Sequence, residues 1–460
     1  MNHPTPRPHL SLFDAVCIIV GIIIGAGIFK TAASIAGCVG GLGELVGVWT
    51  AGGVIALSGA LCYAELTTRY PADGGDYVFL THAYGRGIGF LFAWSQFWIL
   101  RPANVGAMAY IFAEQVRHLA PWPPLGFRYE VPAYAIAATI TLTAINVIGV
   151  RAGSRTQNVL TVSKLAGLAV ILVTALFVAP HADHATMATA PSANPRNLYT
   201  AMILVLFAYG GWNEIASVAA EIRQPRRNIP RALLLGTSLV LGTYLLINLS
   251  FWRVLGPSGF RASPSAAADL LSRWGGVQGA AVISGLIAIS CLGSVNGMVL
   301  TGSRVLYAAG TEHRIFGWLG VWNARHAVPL RSLIVQAIVT SALILVFGPN
   351  ETAFQRLVVF STPVFWLFAL LAAASIFQLR RSRSPDTEVY HVLGYPFTPL
   401  LFCLSCLFML WATTQYACRE DVFPVLASLC VLAMGGLVYI AERVFWDGVP
   451  LSQLFGRMKR

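Results

Sequence analysis

The amino-acid sequence predicts an all-α membrane protein of twelve spanning helices: two inverted five-helix repeats and two further helices, with the first and sixth spans unwound. Three observations carry this. Of the 460 residues, 56% are hydrophobic and only 11% charged, and the mean hydropathy is +0.68, outside the range of a water-soluble domain. Apolar runs of about 20 residues, the length that crosses a hydrocarbon core, recur along nearly the whole chain. Two of these runs, five spans apart, carry glycines at their middles.

In chain order the spans cover approximately residues 12–36, 44–66, 87–117, 132–150, 156–179, 199–220, 231–254, 276–305, 329–348, 355–379, 397–417 and 423–445. The first has no small-residue cleavage site and runs on to Ala36, longer than the apolar core of a signal peptide, so it reads as a true span. Repeat one then occupies about 12–179, repeat two about 199–379 and the two extra helices about 397–445, all within one transmembrane domain over 1–460. With the N-terminus in the cytoplasm, 20 of the 31 lysines and arginines fall on the inner side, 8 outside and 3 within spans. That asymmetry predicts both termini in the cytoplasm; residence in a plasma membrane, a bacterial inner membrane, is expected.

Topology also explains the net charge of +12, which is densest around Glu221 to Arg231 and calls for no nucleic-acid partner. The eight cysteines sit within or beside spans, where they act as small apolar residues. The spacing in Cys403-Leu-Ser-Cys406 matches a redox motif but falls in an apolar helix with no neighbouring strand pattern. His181 and His184 form a loop pair without further ligands, so no metal or other cofactor is expected. No Ser/His, paired-Asp or metal constellation lies within the spans, which argues against an intramembrane enzyme.

The glycines of the first span are Gly21, Gly25 and Gly27. By themselves Gly21 and Gly25 fit a small-xxx-small pattern that lets two helices approach. The sixth span, however, carries Gly210-Gly211 between Phe207, Tyr209 and Trp212. Interruptions at corresponding places in two halves point to a transporter binding site at the interface of inverted repeats. An unwound turn frees backbone groups that lipid does not tolerate and a polar ligand can use. The half-helix after Gly27 would present N–H groups and a positive dipole end to a carboxylate, while carbonyls near Ile23 and Ile24 and around Phe207 would accept from an ammonium. Such a pair of poles suits a zwitterion such as an amino acid.

Lys164 lies in the fifth span, eight residues in from Thr156 and so about 12 Å deep, beyond comfortable snorkelling. An ammonium at that depth needs partners. The carbonyls exposed near Gly21 and Ile24 and a hydroxyl of Ser290 or Ser294 are candidates, which would make Lys164 an internal cation replacing a bound sodium. Arg101, beside Pro102 in the third span, reads as scaffolding for carbonyls that the proline frees. Lys30, one turn after the first break, could face an outer vestibule and is given no role. Glu214 is the one deep carboxylate beside the second break, and its side chain either serves the site or points away. Phe207 is the candidate lid, against the plainer reading of an aromatic in helix packing.

Several stretches in order resemble one family: Gly21 to Phe29, Cys62 to Leu80, Ile99 to Glu114, Ile145 to Leu165, Phe207 to Ala232, Gly242 to Asn248 and Gly293 to Gly310. Together they are similar to the amino acid-polyamine-organocation transporters, and within them the L-type amino acid transporters. The resemblance implies the LeuT-type five-plus-five fold and alternating-access transport of an L-amino acid. It implies α-carboxylate binding at Gly25, Ala26 and Gly27, α-amino binding at Ile23 and Phe207, gating by Phe207, and Lys164 in place of a coupling sodium. Gly210, Asn213 and Tyr244 are implied to line or support the site. Two departures stand out. Ala26 replaces the serine of many members and removes a hydroxyl that could bond the carboxylate. The loop from Arg117 to Glu130 lacks the cysteine by which animal L-type members join a heavy chain, so no disulfide-linked partner is expected. Neutral amino acid exchange is the leading expectation, with proton-coupled symport, cationic amino acid or polyamine transport, and a non-transporting sensor as alternatives.

Overall fold

The computed structural model describes residues 6–122, 126–178, 195–275, 277–348, 353–381, 389–446 and 448. His181 and His184, and part of the loop expected to lack a partner cysteine, lie outside them. Sixteen α-helices follow one another among the described residues: α1 (Leu12–Ile23), α2 (Gly27–Gly37), α3 (Leu42–Arg69), α4 (Asp76–Tyr84), α5 (Arg86–Ser95), α6 (Arg101–Leu119), α7 (Gly126–Ile148), α8 (Val150–Phe177), α9 (Pro195–Ala208), α10 (Pro225–Ala262), α11 (Ala266–Gly275), α12 (Val277–Glu312), α13 (Leu330–Phe347), α14 (Ala353–Arg381), α15 (Phe397–Glu420) and α16 (Phe423–Ala441).

Ten helices among the described residues are long and apolar enough to cross a membrane, and the bent pair α1 and α2 makes an eleventh. These match every expected span except the third. There the chain is helical from Arg86 to Leu119 but passes through a π turn at Gln96–Leu100. The turn divides the run, and its longer part, α6, holds Arg101, Asn104 and Glu114. Two short helices were not expected. One is α4, entered through Gly74 and Gly75 at φ +112° and +52°, a backbone region that favours glycine. The other is α11, after a break in α10 at Gly256 (φ +72°) and Pro257.

The N-terminus of α1 is fixed by a capping box. Ser11 Oγ accepts the Asp14 N–H at 3.2 Å and the Asp14 carboxylate accepts the Ser11 N–H at 2.8 Å. Winding is lost at Ile24, where ψ swings to 77°, and the axis resumes in α2 bent by 48°. The sixth span breaks likewise after α9: Gly211 takes φ +115° and a 3₁₀ helix follows over Trp212–Glu221. Around this centre α1 packs against α8, α10 and α12. Large apolar side chains such as Val159, Leu176, Ile338 and Leu437 remain exposed on the outside, the face a bilayer would cover.

At the end where α1 begins, polar contacts tie the elements together. Arg304 meets Glu221 at 2.6 and 3.2 Å, both fully buried. Glu65 pairs with Arg380, and the Tyr77 hydroxyl donates to Glu312 at 2.7 Å. At the end where α2 lies, a partly exposed pair, Lys30 and Glu114 at 3.0 Å, joins α2 to α6.

Candidate functional site

The two breaks face each other. A Cβ on Gly211 would lie 2.6 Å from Ile22, and one on Gly27 would lie 3.2 Å from the Ala208 backbone, so each glycine lets the opposite broken segment approach. The Tyr244 hydroxyl stands 3.1 Å from both the Ile23 and the Ala208 carbonyl. It holds one proton and donates to one of them at a time, bridging the breaks from behind.

Breaking α1 releases carbonyls that need donors, and α8 and α12 supply them. Lys164 Nζ donates to the carbonyls of Gly21 at 2.7 Å, Ile24 at 2.6 Å and Ser290 at 3.0 Å, so all three ammonium protons are used. Ser290 Oγ donates toward Ile24 and Gly25 carbonyls at 2.8 and 3.1 Å, and Ser294 Oγ toward Gly21 and Ile22 at 3.1 Å each. The serine partner of Lys164 is thus a carbonyl rather than a hydroxyl; the hydroxyls serve the break directly. Gly293 makes room for the ammonium, since a Cβ there would come within 2.8 Å of Nζ. Gly21 faces α8 rather than the cavity: its Cβ would collide with Gln157 and Thr161.

On the other side of the break, Gly25 N–H returns to the Ile23 carbonyl at 2.8 Å, and Ala26 is the residue before α2. At the start of α2 the Phe29 and Lys30 N–H groups donate to the Ala26 carbonyl at 3.1 and 3.0 Å, while those of Gly27 and Ile28 have no preceding turn to accept them and lie at the positive end of the helix dipole. The start of α2 borders a cavity of about 140 Å³ lined by Ile23, Gly25, Ala26 and Gly27 and, from the second break, by Phe207, Gly210 and Asn213. Ile24 and Tyr244 do not line it. The Ile24 carbonyl is turned to Lys164, and Tyr244 lies fully buried behind the wall.

Phe207 also lines a second cavity, of about 210 Å³ and almost wholly apolar, which holds Lys30, Thr31 and Phe354 on the α2 side. Half-buried Phe207 is thus shared by the two spaces, along with Ala26, Gly27, Met108, Val358 and Thr362. Opposite the breaks the first cavity is closed by Asn104 and Met108 of α6 and by Ser361, Phe365 and Trp366 of α14; Ser361 Oγ donates to Asn104 Oδ1 at 3.1 Å. None of these residues was singled out by the sequence alone. Ser361-Thr362-Pro363 inside an apolar run was the available signal.

Glu214 lines the cavity too, yet its carboxylate is engaged: Arg101 donates at 2.9 Å and the Thr301 hydroxyl at 2.6 Å. Arg101 is thus paired with a carboxylate, not with carbonyls freed by Pro102. Pro102 stands directly after the π turn, as the second residue of α6.

Residues 10–441 match the family described as amino acid permease. The chain is 30% identical to the b(0,+)-type amino acid transporter 1 of Homo sapiens, over 88% of this chain and 82% of that protein. It is 28% identical to the serine/threonine exchanger SteT of Bacillus subtilis (strain 168), over 92% and 96%, and 30% identical to the cystine/glutamate transporter of Homo sapiens, over 96% and 86%.

Proposed function

The chain belongs to the amino acid permease family, and we propose that within it the protein is a neutral L-amino acid exchanger working by alternating access. The family and these relatives are transporters, not enzymes, and the chain is a multi-pass membrane protein. The observation that carries the finer reading is the cavity at the two breaks. The N–H groups of Ala26 and Gly27, at the start of α2, would take the α-carboxylate, and backbone carbonyls at Ile23 and Phe207 would take the α-ammonium. Gly25 and Gly210 keep the backbone accessible, and Asn213 offers an amide to the side chain.

Lys164 is assigned as the fixed internal cation, holding the α1 break open through Gly21, Ile24 and Ser290 with Ser294 beside them. Tyr244 is assigned a supporting role, and Phe207 is the lid toward the α2 side. Polar ties at the α1 end and the apolar cavity at the α2 end suit an outward-facing state. In this reading Arg86–Leu119 is the third of twelve spans, the first ten form the LeuT-type inverted repeat, both termini are cytoplasmic, and the protein works in a plasma membrane without a disulfide-linked heavy chain. A cationic or polyamine substrate is disfavoured because the Glu214 carboxylate is already engaged by Arg101.

The exchanger reading is supported by a relative named as an exchanger. Purified protein in liposomes tests it. Unlabelled neutral amino acid inside should accelerate uptake of labelled amino acid strongly, and competition by all twenty amino acids should rank neutral side chains first. Uptake insensitive to internal amino acid would reject exchange.

A further inference from the structure

Below the cavity, on the side away from α2, lies a second polar space that the exchange reading does not use. It leaves room for about one water molecule, roughly 10 Å³, and it adjoins the substrate cavity through Asn104, Asn213 and Glu214, which line both. Asp76, the first residue of α4, and Gln96, in the π turn, complete its polar lining. Two acceptors there have no hydrogen-bond partner: Asp76 Oδ1, shielded from solvent, and Oε1 of Gln96, a residue only 8% exposed. Two orphan acceptors facing one small space call for a donor between them.

The charges give the same indication. Asp76 and Glu214 bring two carboxylates and Arg101 one cation. Arg101 is spent on Glu214 at 2.9 Å, which leaves one negative charge over on the half-buried Asp76, beside a space with room for about one water. Every titratable or charged group facing Asp76 is accounted for: Tyr63 from α3, Glu214 from the 3₁₀ segment and Arg101 from α6; α14 contributes Phe365, Phe368 and Ala369.

We propose that Asp76 is a one-proton binding site, with the proton shared toward Gln96 Oε1 and the Arg101–Glu214 pair, and that its occupancy tunes transport. A proton makes the Asp76 carboxyl neutral and turns one orphan acceptor into a donor, directly or through one water. The site joins α4 to the 3₁₀ half of the broken sixth span. Proton release therefore sets two carboxylates against each other across that joint and favours its parting. Burial, reinforced by the Glu214 charge and opposed by hydrogen bonds from the Tyr63 hydroxyl and the Asn213 amide and by the Arg101 charge, pushes the Asp76 carboxyl up to about 7. The sign follows: a raised carboxyl binds its proton below that pH and loses it as pH rises through 7.

This inference rests on the transport reading only for its consequence, and the test separates the two. Infrared difference spectra of the full chain in liposomes, titrated from acid to alkaline pH, should show a protonated carboxyl C=O band disappearing near pH 7. Asp76→Asn should lose that band, and Glu214→Gln should shift its midpoint to lower pH by removing the neighbouring charge. The wild-type exchange rate should change with the same midpoint. A band untouched by Asp76→Asn, no titrating band, or exchange that is flat in pH while the band titrates overturns the proposal. Where Asp76→Asn does not fold, an unshifted midpoint in Glu214→Gln does so. Absence of exchange at every pH would instead sink the transport reading and leave the band as the measure of the proton site.

Discussion

The Lys164 ammonium lies 2.6 Å from the carbonyl oxygen of Ile24, the residue at which α1 loses its winding. A charged donor on a neighbouring helix thus occupies the place that the next turn of α1 would have filled. Hydrogen bonds to charged groups contribute about 1.5–3 kcal/mol each, and Lys164 makes three.

Lys164→Met, close in volume but without donors, is expected to abolish exchange and amino acid binding, because the freed carbonyls at Gly21 and Ile24 must find other partners. Substrate-dependent thermal shift and liposome uptake measure this. Wild-type binding and uptake in the variant would refute the role given to the internal cation.

Gly293→Ala tests the same contact without removing charge. The added methyl would sit 2.8 Å from Lys164 Nζ, and overpacking of this kind costs about 1–3 kcal/mol. We expect a lower melting temperature and impaired exchange. Gly285→Ala on the same helix, where a Cβ meets nothing within 4 Å, is the matched control and should behave as wild type.

Arg101→Met should destabilise the protein by about 3–5 kcal/mol, the usual penalty for leaving one partner of a buried ion pair alone. The pair is 3% and 12% exposed. Adding Glu214→Gln should restore most of the loss, so a double-mutant cycle on melting temperature reads the coupling. Purely additive effects would show that the contact carries no coupling energy.

Phe207→Ala removes a ring that lines both cavities and is proposed as the lid. The expected outcome is weaker apparent affinity together with faster leak of preloaded substrate in the absence of external amino acid. Efflux kinetics distinguish this from simple loss of packing, which would leave the leak unchanged.

Ala26→Ser restores a hydroxyl beside the α2 N–H groups. One added neutral hydrogen bond is worth about 0.5–1.5 kcal/mol, a gain of roughly twofold to tenfold in affinity. Equilibrium binding of labelled amino acid reads it directly.

The helices and their breaks were legible in the sequence because their causes are local. A run of apolar residues fixes each span, and glycine at 25, 27, 210 and 211 marks the places where winding fails. The depth of Lys164 was equally plain, since counting residues from a span end gives distance along a helix axis. The third span was blurred: its π turn over Gln96–Leu100 leaves no mark in composition.

What the tertiary structure decided is which groups meet. Sequence placed Arg101 beside Pro102 and assigned it to freed carbonyls; packing of α6 against the 3₁₀ segment gave it Glu214 instead. Sequence placed Ile24 in the substrate cavity, but the direction of bending turned its carbonyl to Lys164. Asp76 was read only as part of a motif, until α4 brought it to the space shared with Gln96 and Glu214. Hydropathy and glycine spacing describe a chain along its own axis, whereas pairing of buried charges depends on distances between axes, which are set only when the helices pack.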